Sequence, residues 1–145
     1  MGDRIRKATA VVLRQSCTGR EVLVFEHPLD EGGAMLQLPA GTVEVGEEPE
    51  AAAIRELLEE TGVRASSPML AAVQDEAVEG VSLTRWVYLF QAPSDLPAEW
   101  TSQCDCGVPI RCHWLPLDLA VVAEPQQRWI DAAREFLAAA RTKCD

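Results

Sequence analysis

A group of glutamates on one predicted helix constrains this chain more than any other feature of its sequence. Pro49 suits the first turn of a helix, where its missing N–H costs no hydrogen bond, and Gly62 is a typical C-terminal stop. Within that helix Glu56, Glu59 and Glu60 are spaced i, i+3 and i+4, so their carboxylates share one face. Carboxylates at this spacing repel one another, whereas Mg²⁺ binds carboxylate oxygens together with waters and phosphates. Taken alone, the helix predicts either a solvated acidic face or a divalent-cation site.

The rest of the helical wheel indicates how this helix packs. Four side chains lie roughly opposite the carboxylates and are expected to anchor the helix to a sheet: Ile54, Leu57, Leu58 and Thr61. Ala52 and Ala53 flank the carboxylates, and we expect their small side chains to leave room for ions and a ligand.

The residues around the helix decide between the two interpretations. They follow the pattern G-x5-E-x7-R-E-U-x-E-E-x-G-U, in which U is a bulky aliphatic residue, and every specified position is matched. The matching residues are Gly41, Glu47, Arg55, Glu56, Leu57, Glu59, Glu60, Gly62 and Val63. On this pattern the chain resembles the Nudix hydrolase family, whose box it carries in full. The resemblance implies one domain over residues 1–145, with the α/β fold of the family: an α/β/α sandwich whose mixed β-sheet carries the box as loop–helix–loop.

The resemblance also implies a metal site and a reaction. Glu56, Glu59 and Glu60 would bind Mg²⁺, with Mn²⁺ as the alternative, and a backbone carbonyl of Ala40 or Gly41 would join them. The implied reaction is hydrolysis of a diphosphate linkage in a small nucleotide-like substrate, with water attacking phosphorus.

Arg55 and Glu47 are expected to support this site without reacting. The resemblance implies that they pair and hold the loop against the helix, and a guanidinium can orient carboxylates without competing for the metal. The general base stays open between a box carboxylate and a later acidic residue. The later candidates are Glu76, Glu79, Glu99 and Asp105.

Hydrophobic patterning agrees with a mixed sheet covered by helices. Apolar, β-branched runs predict strands at 7–14, 21–26, 69–73, 83–90 and 110–115, whereas 41–48 and 92–107 are predicted to be loops. A final helix is predicted to open at Pro125. Its apolar stripe consists of Trp129, Ala133, Phe136, Leu137 and Ala140.

Composition excludes several other classes of protein. The net charge of −10, without clustered Lys or Arg, argues against binding to long nucleic acid. No apolar run reaches the roughly 18–20 residues of a membrane span. The charged N-terminus does not look like a signal peptide, and five cysteines do not indicate a disulfide framework, so a cytoplasmic location is expected. A second copy of the chain is kept as a candidate partner.

One cysteine cluster allows a competing metal hypothesis. Cys104, Cys106, Cys112 and His113 form C-x-C-x5-C-H, but structural zinc sites use wider cysteine pairs. Adjacent Cys112 and His113 on a strand should also point to opposite faces, so free thiols are favoured over zinc.

The sequence identifies the bond broken better than the group attached to it. Trp114 is the best candidate to stack on a base, with core packing as the alternative, whereas Trp129 is assigned to the core. Arg85 and His27 are candidates to contact a phosphate. Families acting on ADP-ribose or dinucleoside polyphosphates carry a proline or a tyrosine beyond the box, and residues 78–81 contain neither. A non-catalytic nucleotide sensor remains the alternative function; isomerisation of a diphosphate ester is a third.

Overall fold

The computed structural model describes residues 4–17, 19–103, 107–120, 122 and 126–144. These residues form eight strands, two α-helices and a short 3-10 helix at Leu117–Leu119. The strands are β1 (Ile5–Ser16), β2 (Gly19–Pro28), β3 (Ala34–Gln37), β4 (Ala40–Thr42), β5 (Met69–Val78), β6 (Val81–Gln91), β7 (Glu99–Gln103) and β8 (Pro109–Pro116). The helices are α1 (Pro49–Thr61) and α2 (Gln126–Cys144). Neither helix has an apolar stretch long enough to cross a membrane within the residues described.

The strands form one mixed sheet in the order β5-β6-β1-β2-β8-β7. β1 runs parallel to β6 along nine residue pairs, but it pairs with β2 only near their shared turn, from Leu13 to Ser16. Farther from that turn, β4 pairs with β1 and β3 pairs with β2. The short β3–β4 segment therefore lies where β1 and β2 have separated, and it leads directly into the box.

One helix covers each face of this sheet. Side chains on β1 alternate, so that Ala8 and Val12 pack with α1, whereas Val11 packs with α2. On α1, Leu57 is fully buried, and on α2, Ile130 is fully buried. The architecture is the α/β/α sandwich expected from the sequence, with a mixed sheet between two helical layers.

The bounds of α1 are those predicted, and its C-terminus is a glycine cap. Gly62 takes a left-handed φ of 78°, and its N–H donates to the Leu58 carbonyl at 2.9 Å. The expectation for Ala52 and Ala53 was wrong, because both are fully buried rather than beside a ligand space. Small side chains at these positions let the helix pack closely on the sheet.

Two strands overlap segments that were predicted to be loops. β4 starts the box loop, and β7 lies within 92–107. Neither has the length or apolar alternation that identifies a strand by sequence, and β7 contains a single large apolar residue, Trp100. Each is stabilised by pairing with a longer neighbouring strand: β4 pairs with β1, and β7 pairs with β8.

Candidate active site

The glycine that begins the box lies against the first helix carboxylate. Gly41 is paired with Ala8 of β1, and a Cβ atom on Gly41 would lie 2.1 Å from Cδ of Glu56. Any larger residue would therefore displace the Glu56 carboxylate from this position. Glu56 is correspondingly confined, with 12% of its side chain exposed.

A second helix carboxylate contacts the same strand. The N–H of Ala40 donates a hydrogen bond to Oε1 of Glu60 at 3.3 Å. Glu59 points further outward, with 35% of its side chain exposed. β4 and α1 thus bring two of the three predicted carboxylates, Glu56 and Glu60, against the backbone of Ala40 and Gly41, whereas Glu59 lies farther out.

Arg55 connects the helix to the preceding loop. Its Nε and Nη2 donate to the two carboxylate oxygens of Glu47, each at 2.9 Å, in a bidentate pair. Nη2 also donates to the Thr42 carbonyl at 3.0 Å, and Nη1 donates to Glu56 and Glu59 at 2.9 and 3.2 Å. The Arg55–Glu47 pairing expected from the sequence is present, and Arg55 additionally contacts two of the three helix carboxylates.

This pairing fixes the protonation of both groups. The Arg55 hydrogen bond, followed by the Glu44 N–H, lowers the pKa of Glu47 from 4.5 to about 2. The Glu47 carboxylate in turn raises the pKa of Arg55 above its usual value. Both groups therefore remain charged at neutral pH.

The charge and chemistry of the cluster fit a hard divalent cation. The Arg55 guanidinium pairs with three carboxylates (Glu47, Glu56 and Glu59), and Glu60 adds a fourth on the same helix, so negative charge is in excess. All the candidate donors are oxygens, which Mg²⁺ and Mn²⁺ prefer. Within the described part of the chain, no three Asp, Glu, His or Cys side chains converge on one point as an ion would require. Glu56 and Glu59 are both turned toward Nη1 of Arg55, so their carboxylates must reorient to share an ion.

Arg85 and Glu76 lie on the opposite face of the sheet, under α2. Arg85 is 6% exposed, and its Nε donates to Glu76 at 3.3 Å while its Nη1 donates to Thr9 at 3.0 Å. Its guanidinium also lies 3.9 Å from the centre of the Trp129 ring. Burial lowers the pKa of Arg85, an effect that the Glu76 carboxylate opposes. The hypothesis that Arg85 contacts a phosphate does not agree with this placement, nor does a role for Glu76 as the general base.

Trp114 and His27 are not part of the carboxylate cluster, although Trp114 lies on the same face of the sheet as α1. Trp114 belongs to the core, its indole N–H donates to the Pro97 carbonyl at 3.1 Å, and the Arg14 guanidinium covers its ring at 4.1 Å. Core packing, rather than base stacking, therefore describes Trp114. His27 lies near the end of β2, opposite Met35, with Nδ1 3.0 Å from the Pro28 carbonyl.

Two of the remaining acidic candidates, Glu99 and Glu79, do not join the helix carboxylates. Glu99 pairs with Arg111 at 2.6 Å, which lowers the pKa of Glu99. Glu79 lies in the turn between β5 and β6 with a φ of 50°. Asp105 lies outside the described residues.

The structure separates two members of the cysteine cluster. Cys112 is buried on the α1 face, whereas His113 lies on the α2 face with Nε2 3.6 Å from Glu26, as strand alternation predicts. Burial, with a smaller contribution from Glu60, raises the pKa of Cys112 to about 12, so its thiol is protonated at neutral pH. Cys104 and Cys106 lie outside the described residues, so the zinc hypothesis stays untested for them.

One hydrogen bond to the segment just before β4 could not be predicted from any sequence pattern. Oε1 of Gln126, the first residue of α2, accepts a hydrogen bond from the Leu38 N–H at 2.5 Å. The two residues are 88 positions apart, and only the folded sheet brings them together.

Comparison with known proteins agrees with this architecture. An RNA pyrophosphohydrolase of Roseobacter denitrificans is 37% identical over 113 residues, which are 72% of this chain and 64% of that protein. The chain therefore spans less than two thirds of that relative's length. The NUDIX domain of Shewanella oneidensis NrtR, solved with ADP ribose, has a TM-score of 0.70 at 18% identity and covers 94% of this chain and 90% of that one.

A C. elegans Ap4A hydrolase has a TM-score of 0.69 at 19% identity, covering 93% of this chain and 98% of that one. At these identities, the two solved structures show a shared fold alone. The family model described as "NUDIX domain" matches residues 4–139, which include the box and both helices. The chain belongs to the NUDIX domain family.

Proposed function

We propose that this protein hydrolyses a diphosphate linkage in a nucleotide-like substrate, using Mg²⁺ or Mn²⁺ held by Glu56, Glu59 and Glu60. The observation that carries the proposal is the packing of two of these carboxylates, Glu56 and Glu60, against β4. Glu56 fills the space that Gly41 leaves, and Glu60 accepts the Ala40 N–H. A helix that needed only a solvated acidic face would not require this close approach.

The proposal assigns roles to the metal ligands, to a general base and to the Arg55–Glu47 pair. A divalent ion held by Glu56, Glu59 and Glu60 would supply positive charge that withdraws electrons from phosphate oxygens and makes water more acidic. A box carboxylate accepts the proton that the attacking water loses as its oxygen bonds to phosphorus, and the P–O bond of the anhydride breaks to release a phosphate-containing product. Arg55 and Glu47 hold the loop on the helix, and the carbonyl of Ala40 or Gly41 completes the set of oxygen donors.

The substrate class follows from the diphosphate linkage rather than from a base-recognition site. The names of similar proteins refer to RNA, ADP ribose and Ap4A, which differ widely outside their phosphates. We propose a nucleoside triphosphate, or a nucleoside diphosphate linked to another group, as the substrate. The 5′ end of a triphosphorylated RNA offers the same linkage and belongs in any test.

The decisive experiment removes one carboxylate at a time. Glu59→Gln and Glu60→Gln should each lower turnover by on the order of 10²-fold or more, because each removes charge from a candidate metal ligand. Glu50→Gln is the matched control, since Glu50 is an exposed glutamate in the first turn of the same helix. Turnover would be followed as released phosphate and pyrophosphate with nucleoside triphosphates, ADP-ribose, Ap4A and 5′-triphosphorylated RNA. Near-wild-type turnover in both variants at saturating Mg²⁺ would contradict the assignment.

The same panel tests the alternative of a nucleotide sensor. A sensor would bind one of these compounds tightly without releasing phosphate or pyrophosphate under any metal condition. We favour hydrolysis because every carboxylate of the box is present in this chain.

A further inference from the structure

The link between β3 and β4 is held by three different parts of the molecule. The Leu38 N–H donates to Gln126 of α2 at 2.5 Å, the Pro39 carbonyl accepts from the Ala10 N–H of β1 at 2.9 Å, and the Ala40 N–H donates to Glu60 of α1 at 3.3 Å. These three consecutive residues therefore have one anchor each on α2, the sheet and α1.

The α2 anchor, which is the hydrogen bond from Leu38 to Gln126, is buried. Gln126 is 9% exposed, and Leu38 is 2% exposed, so the bond between them is shielded from water. A buried backbone N–H that loses its acceptor carries a desolvation cost, and the chain can avoid that cost only by moving the segment toward water. Such a movement would carry Ala40 and Gly41 with it.

We infer that Gln126 is a positioning residue for the proposed metal site, acting from the far face of the sheet through Leu38. The inference rests on the proposed function, in which the carbonyl of Ala40 or Gly41 is one of the oxygen donors. Gln126 does not touch the carboxylates. Its bond to Leu38 fixes where the β3–β4 link lies relative to α1. It thereby sets the distance between the carbonyl oxygens of Ala40 and Gly41 and the helix carboxylates.

The chain offers a matched control at the next residue. Gln127 also accepts a backbone N–H, that of Val122, at 2.9 Å, and it donates to Ala120 and Asp131. Its bonds serve the segment before α2 and the helix itself, not the β3–β4 link. Gln126→Leu and Gln127→Leu therefore each remove an amide that holds the beginning of α2, but only the first releases Leu38.

The test measures binding of Mn²⁺ alone by electron paramagnetic resonance, without substrate. Gln126→Leu should weaken Mn²⁺ binding about 10-fold, whereas Gln127→Leu should stay within about twofold of wild type. Gln126→Glu retains an acceptor oxygen and should recover most of the lost affinity. Equal weakening in the two leucine variants would show a general loss of stability and overturn the inference, as would unchanged affinity in Gln126→Leu.

Amide hydrogen exchange gives a second readout that needs no metal. The Ala40 N–H should exchange faster in Gln126→Leu than in Gln127→Leu, because its bond to Glu60 depends on the placement of the segment. A wild-type protein that binds no Mn²⁺ would contradict the proposed function and the metal arm of this inference. Even then, exchange at Ala40 would decide whether Gln126 holds the link, and equal exchange in both variants would overturn that conclusion.

Discussion

Two arginine–glutamate pairs lie on opposite faces of the same sheet and behave differently. Arg55 and Glu47 are partly exposed, at 25% and 16% of their side chains, whereas Arg85 and Glu76 are 8% and 3% exposed. In the first pair, the hydrogen bond from Arg55 to Glu47 has the largest effect on the arginine and raises the pKa of Arg55. In the second pair, burial has the largest effect and lowers the pKa of Arg85. One oxygen of Glu76 also has no hydrogen-bond partner among the described residues, whereas both oxygens of Glu47 are bonded.

The surroundings of the two pairs indicate which properties of the protein each pair can affect. The Arg55 pair lies in a network of further carboxylates, where extra cationic charge would be accommodated. The Arg85 pair is enclosed by Trp129 and Thr9, where removal of one charge leaves the other buried without compensation. The first pair is therefore expected to affect function and stability together, and the second to affect stability alone.

The largest expected effect is on the buried pair. Arg85→Met should lower the free energy of unfolding by about 3–5 kcal/mol, because it leaves the Glu76 carboxylate buried and unpaired. Adding Glu76→Leu should recover part of that loss, since an apolar pair removes the stranded charge. Chemical denaturation of the single and double variants measures both effects. If Arg85→Met were as stable as the wild type, the Glu76 carboxylate would have to be hydrated. The two pairs would then not differ in the stability cost of losing their arginine.

A smaller loss of stability is expected on the box side. Arg55→Ala should lower the free energy of unfolding by about 1–3 kcal/mol, because Glu47 loses both hydrogen bonds from Arg55, keeps the one from the Glu44 N–H and remains near water. The same variant should weaken Mg²⁺-dependent activity, since the loop would no longer be held on the helix. Melting curves with and without Mg²⁺, together with a Mg²⁺ titration of turnover, measure the two effects. An unchanged melting temperature and an unchanged Mg²⁺ requirement would show that the Arg55–Glu47 pair is not a brace.

The smallest effect is a dependence on pH that belongs to Glu47. Because its pKa falls from 4.5 to about 2 on folding, its contribution to stability is present above pH 4.5 and is lost as the pH falls toward 2. The stability difference between wild type and Glu47→Gln should therefore shrink over this interval. Unfolding free energies measured from pH 7 to pH 2 test this, and a difference that stays constant would contradict the assigned shift.

Features of the chain that depend on local sequence could be predicted. Pro49 and Gly62 indicated the bounds of α1, and the resemblance carried by Gly41 to Val63 implied the Arg55–Glu47 pair. The position of a side chain could not be predicted where it depends on distant strands. Arg85 lies on an amphipathic strand and gives no sign that Trp129 and Glu76 enclose it. Trp114 likewise follows a polar residue, yet it is covered by Arg14 from a strand about 100 positions earlier.

The central place of β1 has a consequence for how the chain folds. Residues 5–13 pair with residues 83–91, so this nine-pair ladder cannot form until residue 91 of the 145 is available. During synthesis, the β1–β2 hairpin can assemble early, but one edge of β1 must remain open while the box and β5 emerge. Pairings this distant in sequence slow folding, and refolding on the order of milliseconds to seconds is expected rather than microseconds. The open edge of β1 is then the surface at which nascent chains would associate, and co-expression with a chaperone should raise the soluble yield.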